Sequence, residues 1–154
     1  MTGLAVANPQ GSDTTVNLTA CQSDGSAVVT PGGSLSLKAN GEAAAFTSSL
    51  FPGLPAGFTG VLDVSATTPF AALTLRALPN TRGDFIITTF PVADMTRPAP
   101  TPIVFPHVVD GISGGLYQTQ FIMLGTTGAS NVTLKFYDDD GNALGMSSVA
   151  HPLY

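Results

Sequence analysis

The chain has 154 residues, which is enough for one ordinary hydrophobic core or for one small domain and part of a second. Only 10% of the residues are charged, and five basic residues stand against ten acidic ones. We therefore expect no nucleic-acid partner, because there is no cationic surface to neutralise phosphates. No apolar run approaches the ~18 residues of a membrane span. A single cysteine, Cys21, excludes an intrachain disulfide.

In chain order, five segments alternate apolar and polar residues with the period of two that is typical of half-buried strands. Turn signals rich in Gly, Pro, Asn and Asp separate them at roughly 8–12-residue spacing. This pattern predicts an all-β fold, and the spacing favours an immunoglobulin-like antiparallel β-sandwich. The apolar positions are Val16, Leu18 and Ala20; Leu35, Leu37 and Ala39; Leu62, Val64 and Ala66; Leu73, Leu75 and Ala77; and Val132, Leu134 and Phe136.

One segment predicts a short helix. In "EAAAFTSSLF", residues 42 to 51, three alanines follow Gly41 and precede the stop signal Pro52-Gly53. At two or three turns, this helix would cover one end of the sandwich. Phe46, Leu50 and Phe51 are then expected to plug the open end of the core.

The segment "ADMTRPAPTP", residues 93 to 102, predicts a semi-extended proline-rich connector. It divides the chain into a β-sandwich module, residues 1 to 92, and a partial second module, residues 103 to 154. The second piece is too short to enclose a core alone. We expect its strands to complete this sandwich or a neighbouring one.

The two pieces share an internal repeat. Residues 2 to 28 align with residues 119 to 145, about 117 positions later, with one single-residue shift. The first module then lacks a counterpart of the segment that precedes residue 119, and so lacks its first strand. The aligned pairs are Leu4 and Phe121, Val6 and Met123, Gly11 and Gly128, Val16 and Val132, Leu18 and Leu134, Asp24 and Asp140, and Gly25 and Gly141.

The run "DDDGN" is the strongest candidate for a metal site. Asp138, Asp140 and Asn142 supply three oxygen ligands at alternate positions, as at the start of an EF-type calcium loop. The loop lacks the glycine at position six and the distal glutamate. The first copy has Gln22, Asp24 and Ser26 at the same places, so only Asp-Gly is shared. We interpret it as a type I′ hairpin turn, expect no cofactor, and keep calcium as the alternative.

No catalytic set can be assembled, and we expect no enzymatic activity. Ser113 lies in "GISGG", which matches G-x-S-x-G, but a strand pattern follows where a nucleophile elbow needs a helix. His107 and His151 are the only histidines and lack metal-ligand spacing. The sequence Arg82-Gly83-Asp84 is interpreted as a hairpin tip, with receptor recognition as the alternative.

The elements "GLAVANP", "ANGEAAAFTSSLFPG", "FTGVLDVSATTPFAALTLR", "TTFPVA", "FPHVVDG" and "TLKFYDDDGNAL", in this order, resemble tandemly repeated β-sandwich modules of large secreted or cell-surface bacterial proteins. The resemblance covers nearly the whole chain. It implies a fold and a repeat phase, with "FPHVVDG" opening a module. It implies roles as spacers, adhesive stalks or appendages to a catalytic domain, and it supplies no active site.

The sequence therefore predicts a non-catalytic, extracellular or cell-surface module with a structural or adhesive role. We expect its partner to be another copy of itself or a neighbouring module, joined head to tail by strand exchange. The alternative is a carbohydrate-binding module of a secreted enzyme, with polysaccharide as the partner. That alternative needs exposed aromatic rings, and the chain offers no Trp and only three tyrosines.

Overall fold

A computed structural model of the chain describes residues 1–23, 26, 33–90, 92–97, 100–109, 111–112, 116–117, 119–125 and 132–145. The regular elements of the described residues are β-strands apart from one helical turn, which confirms the all-β class. The contacts divide the chain into two units, Met1–Val92 and Ala93–Tyr154. The elements are β1 (Thr2–Ala7), β2 (Thr14–Gln22), β3 (Gly33–Leu37), β4 (Glu42–Phe46), α1 (Thr47–Leu50), β5 (Gly60–Ala66), β6 (Ala71–Pro79), β7 (Phe85–Phe90), β8 (Gly111–Ile112) and β9 (Leu116–Tyr117).

The first unit contains two antiparallel sheets. The four-stranded sheet has the order β4-β1-β6-β7, and the three-stranded sheet has the order β3-β2-β5. Consecutive strands pair as hairpins only at β2–β3 and β6–β7. The other connections cross between the sheets. The inner strands are β1 and β6 in the four-stranded sheet and β2 in the three-stranded sheet.

The core lies between these two sheets. Leu4 and Val6 of β1 face Val16 and Leu18 of β2, and all four side chains are almost completely buried. They alternate with more exposed residues, as the period of two predicts. Burying a side chain of this kind contributes about 1.5–3 kcal/mol. The same cluster also contains Ala20, Leu37 and Phe51.

The predicted helix over residues 42 to 51 is wrong for its first half. Residues Glu42–Phe46 form β4, and the helix α1 is a single turn, Thr47–Leu50. Alanine favours a helix only weakly, and pairing with β1 overrides that preference. Ala43 lies opposite Val6, where a small side chain fits beside the core. Phe51 is buried in the core as expected, whereas Phe46 lies on the outer face and is exposed.

Strand β6 is confirmed, but the register turns its predicted apolar side away from the core. Val6 lies opposite Ala72, and Leu4 lies opposite Thr74. Paired residues of an antiparallel sheet share a face. Leu73 and Leu75 therefore lie on the outer face of the four-stranded sheet. Ala77, further along β6, is buried, with 4% of its surface exposed.

A buried asparagine ties two loops of the first unit together. The Asn8 side chain donates to the carbonyl oxygens of Ser12 and Lys38, at 2.8 and 2.9 Å. Its Oδ1 accepts a hydrogen bond from the backbone N–H of Gln10 at 3.0 Å. Asn8 is 1% exposed, and its side chain replaces the water that these backbone groups would otherwise bind.

The second unit is less regular. Strands β8 and β9 pair with each other, and Tyr137 bridges Ala143 across a hairpin. The ring of Phe121 makes edge-to-face contacts with Phe105, at 5.0 Å between centroids, and with Phe136, at 6.3 Å. Phe121 and Phe136 are half-buried, whereas Phe105 is exposed. Over the whole described chain, no helix is long and apolar enough to cross a membrane.

Candidate functional site

The carboxylate of Asp138 is used to hold its own loop. Its Oδ1 accepts the backbone N–H groups of Asp140, at 3.1 Å, and Asn142, at 2.7 Å. Its Oδ2 accepts Nδ2 of Asn142 at 3.0 Å. The Asn142 side chain, followed by these backbone donors, holds the pKa of Asp138 below its usual value. Asn142 thus turns its amide nitrogen, which cannot bind a cation, toward Asp138.

The same loop occurs in the first unit, between β6 and β7. Oδ1 of Asn80 accepts the N–H groups of Arg82 and Asp84, both at 2.9 Å, and Nδ2 of Asn80 donates to Asp84. An amide and a carboxylate have exchanged places relative to residues 138 and 142. The chemistry common to both loops is that of a cap for backbone N–H groups.

Both loops have three residues, so the predicted type I′ turn at Asp138–Asn142 is wrong. The N–H of Gly141 donates to the carbonyl of Asp138, and the N–H of Asp138 donates to the carbonyl of Asn142. Of the residues in this loop, only Gly141 has a positive φ, 83°. This is a type I turn followed by a glycine bulge, which needs one left-handed residue where a type I′ turn needs two.

The first copy of the repeat closes its turn with a matching bond. The N–H of Gln22 donates to the carbonyl of Ser26 at 2.8 Å, and Gln22 aligns with Asp138 and Ser26 with Asn142. The shared Asp24 and Gly25 lie outside the described residues.

The other candidate residues are not brought together. Ser113 and His151 lie outside the described residues, and His107 is exposed in the second unit. Within the described ranges, no three His, Cys, Asp or Glu side chains are grouped so as to hold a metal ion. In the Arg82-Gly83-Asp84 tripeptide, the guanidinium of Arg82 binds the carboxylate of Asp84 at 2.9 Å. The two charged groups of this motif are therefore paired with each other at the loop tip.

The feature that sequence reasoning missed is the edge strand β7. All six of its residues, "FIITTF", are exposed, and none is charged. β7 ends the four-stranded sheet, and its opposite backbone edge has no strand partner among the described residues. The sequence signal was present, because Phe85 to Thr89 carry three large apolar residues with no charged side chain to protect an edge.

One side of the sandwich is open beside this edge. Ile86 and Phe90 of β7, with Leu78 of β6, lie on the core-facing side of the four-stranded sheet, because Thr74 pairs with Phe90 and Leu78 with Ile86. Yet they remain between 37% and 45% exposed. The three-stranded sheet has one strand fewer, and its edge strand β5 leaves this part uncovered.

A second exposed apolar segment lies at the start of the second unit. Ile103, Val104, Phe105 and Val108 are all exposed, with Val104 at 77%. Pro102 and Pro106 interrupt the backbone donors of this segment, so it can pair in a sheet only as an edge strand.

Comparisons of the chain with protein-family models, with curated proteins and with solved structures find no match.

Proposed function

We propose that the chain is a non-catalytic structural or adhesive module of the bacterial cell exterior that assembles with copies of itself by strand addition. The single observation that supports this is the uncharged, exposed edge strand β7 beside an open side of the sandwich. Proteins that stay monomeric protect such edges with charges, proline or a covering segment.

The proposed donor is the segment that includes Ile103 and Val108 in a neighbouring copy. In the repeat this segment precedes residues 119 to 145, which align with residues 2 to 28. Its exposed apolar residues would cover Ile86 and Phe90, and its prolines place it at the outside of the enlarged sheet. Because donor and acceptor are different surfaces, this contact joins copies head to tail.

The test uses one variant for each surface. Ile86→Lys places a charge on the open acceptor side, and Val104→Lys places one on the donor segment. Each variant alone should be monomeric in sedimentation velocity at a concentration where the parent forms oligomers. A mixture of the two should form a one-to-one complex, since each supplies the surface that the other has lost.

Ser36→Lys is the matched control, because Ser36 is an exposed residue of the edge strand β3. It should associate as the parent does. If Ile86→Lys and Val104→Lys both associate like the parent, strand addition at this edge is wrong.

The carbohydrate-binding alternative depends on exposed aromatic rings. Tyr137 is exposed at the hairpin of the second unit, while the side chains of Tyr117 and Tyr154 lie outside the described residues. Polysaccharide binding by the parent that is lost in Tyr137→Ala would put this alternative first.

A further inference from the structure

The loop that joins β3 to β4 contains the one Asn-Gly pair in the sequence, Asn40-Gly41. The N–H of Gly41 donates to the carbonyl of Lys38 at 2.9 Å, which closes a β-turn with Asn40 in its third place. Asn40 is exposed and has a φ of 55°. Because asparagine tolerates this left-handed conformation better than most residues, the turn favours an asparagine at this position.

The turn also favours the glycine that follows. A Cβ added to Gly41 would lie 3.0 Å from the carbonyl oxygen of Lys38 and 3.3 Å from its backbone nitrogen. A side chain at this position would therefore press on the backbone of the same tight turn. The local fold thus places an exposed asparagine before a residue with no side chain. The backbone nitrogen of that residue is left unshielded.

An asparagine amide before an unshielded backbone nitrogen can lose ammonia. The backbone nitrogen of Gly41 attacks Cγ of Asn40, so that an N–Cγ bond forms and the Cγ–Nδ2 bond breaks. The proton of the Gly41 N–H leaves with the Asn40 amide group as ammonia, and the product is a succinimide ring. Water then opens the ring at one of its two carbonyl groups, which gives aspartate or isoaspartate at residue 40.

The folded loop holds the reacting groups in other contacts. The carbonyl oxygen of Lys38, which accepts the Gly41 N–H, also accepts Nδ2 of the buried Asn8 at 2.9 Å. The N–H of Asn8 donates to the carbonyl of Gly41 at 2.8 Å, and the N–H of Asn40 donates to the carbonyl of Gln10 at 3.0 Å. The Gly41 nitrogen has to leave this network before it can reach Cγ. The reaction therefore proceeds from a locally opened loop.

An exposed carboxylate holds the same loop from the other side. Oδ1 of Asp13 accepts the N–H of Ala39 at 3.0 Å, and its Oδ2 accepts Nζ of Lys38 at 2.8 Å. The side chain of Asp13 is 59% exposed, so it can be removed without leaving a cavity in the core. One buried and one exposed side chain thus keep the Asn40 turn closed.

We propose that Asn40 is a site of spontaneous deamidation, and that the side chains of Asn8 and Asp13 set its rate by holding the loop closed. The reaction needs water as its only co-reactant, and it is irreversible because ammonia is lost to the solvent. This proposal does not depend on strand addition, since it involves neither β7 nor residues 103 to 108.

Isoaspartate at residue 40 would alter the loop itself. The main chain would then run through the former side chain, which lengthens it by one carbon atom, and a new carboxylate would appear beside it. The longer link would disturb the hydrogen bonds from Asn40 to Gln10 and from Asn8 to Gly41. Because lost hydrogen bonds in a partly buried network destabilise a fold, converted chains should melt at a lower temperature than unconverted chains.

The test follows the asparagine amides of the full chain during incubation in mildly alkaline buffer. Trypsin, which cleaves after Lys and Arg, releases residues 39 to 76 and residues 136 to 154 as separate peptides. Asn40 is the only asparagine of the first peptide and Asn142 of the second, and neither peptide contains glutamine. Mass spectrometry therefore measures each amide separately. Asn142 is the internal control, because it is followed by Ala143, whose methyl group shields the nitrogen.

In the parent, the amide of Asn40 should be lost several-fold faster than that of Asn142. Asn8→Ala should raise the rate at Asn40 by about tenfold or more, because the loop loses its buried hydrogen bonds. Asp13→Ala should raise it by about two- to fivefold, as expected for an exposed ion pair. Asp63→Ala, which removes an exposed carboxylate from β5, is the matched control and should react like the parent.

Two further measurements separate the chemistry from the stability of the fold. Asn40→Gly keeps a residue that accepts the left-handed turn, and its peptide should show no conversion. The parent in concentrated urea gives the rate of the open chain, and the folded parent should react more slowly. Circular dichroism establishes which variants are folded. If Asn8→Ala is unfolded, Asp13→Ala still tests the role of the loop.

Two outcomes would overturn the proposal. Loss of the Asn40 amide no faster than that of Asn142 in the parent would show that Asn40 is not a special site. Equal rates at Asn40 in the folded parent, in folded Asp13→Ala and in the urea-unfolded chain would show that the loop contacts do not set the rate.

Discussion

The repeated segment occurs once in each unit, as residues 2 to 28 and residues 119 to 145. The apolar side chains of the two copies are buried to different extents. In the first unit, Leu4 and Leu18 are almost completely buried. Their counterparts in the second unit, Phe121 and Leu134, lie on the same alternating side but are only half-buried. The difference is what covers them. The first copy has β3, β4, β5 and β6 around it, whereas the described part of the second unit has two short strands and a hairpin. Alternation selects a side of a strand, and burial needs a second layer.

The largest expected effect tests this difference directly. Leu18→Ala should cost about 2–5 kcal/mol, because it leaves a cavity in a packed core. The matched change Leu134→Ala should cost less than about 1 kcal/mol, since the side chain is already half in water. Urea unfolding of both variants measures the two costs. Equal losses would mean that the second unit has a packed core of its own.

The next largest loss of stability is expected at the buried Asn8, whose counterpart in the second copy is Gly125. Asn8→Ala leaves Gln10 N–H and the carbonyl groups of Ser12 and Lys38 without their partner, and we expect a loss of about 2–4 kcal/mol. Thermal melting of the variant is the measurement. Asn17→Ala, at an exposed position on β2, is the control and should change stability by less than about 0.5 kcal/mol. A loss no larger than that of the control would show that water replaces the Asn8 amide.

The two units should lose similar amounts of stability when their bulge glycines are replaced. Gly83 and Gly141 have φ values of 87° and 83° in the same loop type, and no atom lies within 4 Å of an added Cβ at either position. Gly→Ala at each site should therefore cost about 1–2 kcal/mol of local stability, from backbone strain alone. Amide hydrogen exchange measures the local stability of each loop. A loss of stability at only one loop would show that the two loops are not equivalent.

A smaller effect concerns acid. Because its hydrogen bonds depress the pKa of Asp138 in the folded loop, the loop is stabilised above the unfolded pKa, near 3.8. That stabilisation is lost as pH falls through the lower, folded value. The Asn142 amide resonance should therefore shift at a pH below 3.8. In Asp138→Asn, which keeps the acceptor oxygen, this titration should disappear. A midpoint above 3.8 would mean that the carboxylate is not bonded in solution.

The smallest expected effect is none. Millimolar calcium should leave the melting temperature unchanged both in the parent and in the double variant Asp138→Asn with Asp139→Asn. A rise of several degrees in the parent alone would restore the calcium interpretation, because a ligand that binds only the folded state raises its melting temperature.

The sequence by itself determined the all-β class and the alternating sides of β1 and β2, because Leu4, Val6, Val16 and Leu18 repeat with the period of two that a strand imposes. It also determined the presence of a turn at residues 138 to 142. Local composition is sufficient for these features, since they depend on the chain within a few residues.

Only the tertiary structure decided which side of β6 faces the core, that residues 42 to 46 form a strand, and where the sheet ends. Leu73, Leu75 and Ala77 carry the same pattern as a core-facing row. Yet the pairing of Val6 with Ala72 turns Leu73 and Leu75 outward, and of the three only Ala77 is buried. Register depends on residues more than sixty positions away, and so does the position of β7 at an uncovered edge. Pairing partners, which no local pattern names, determine which apolar residues become core and which become surface.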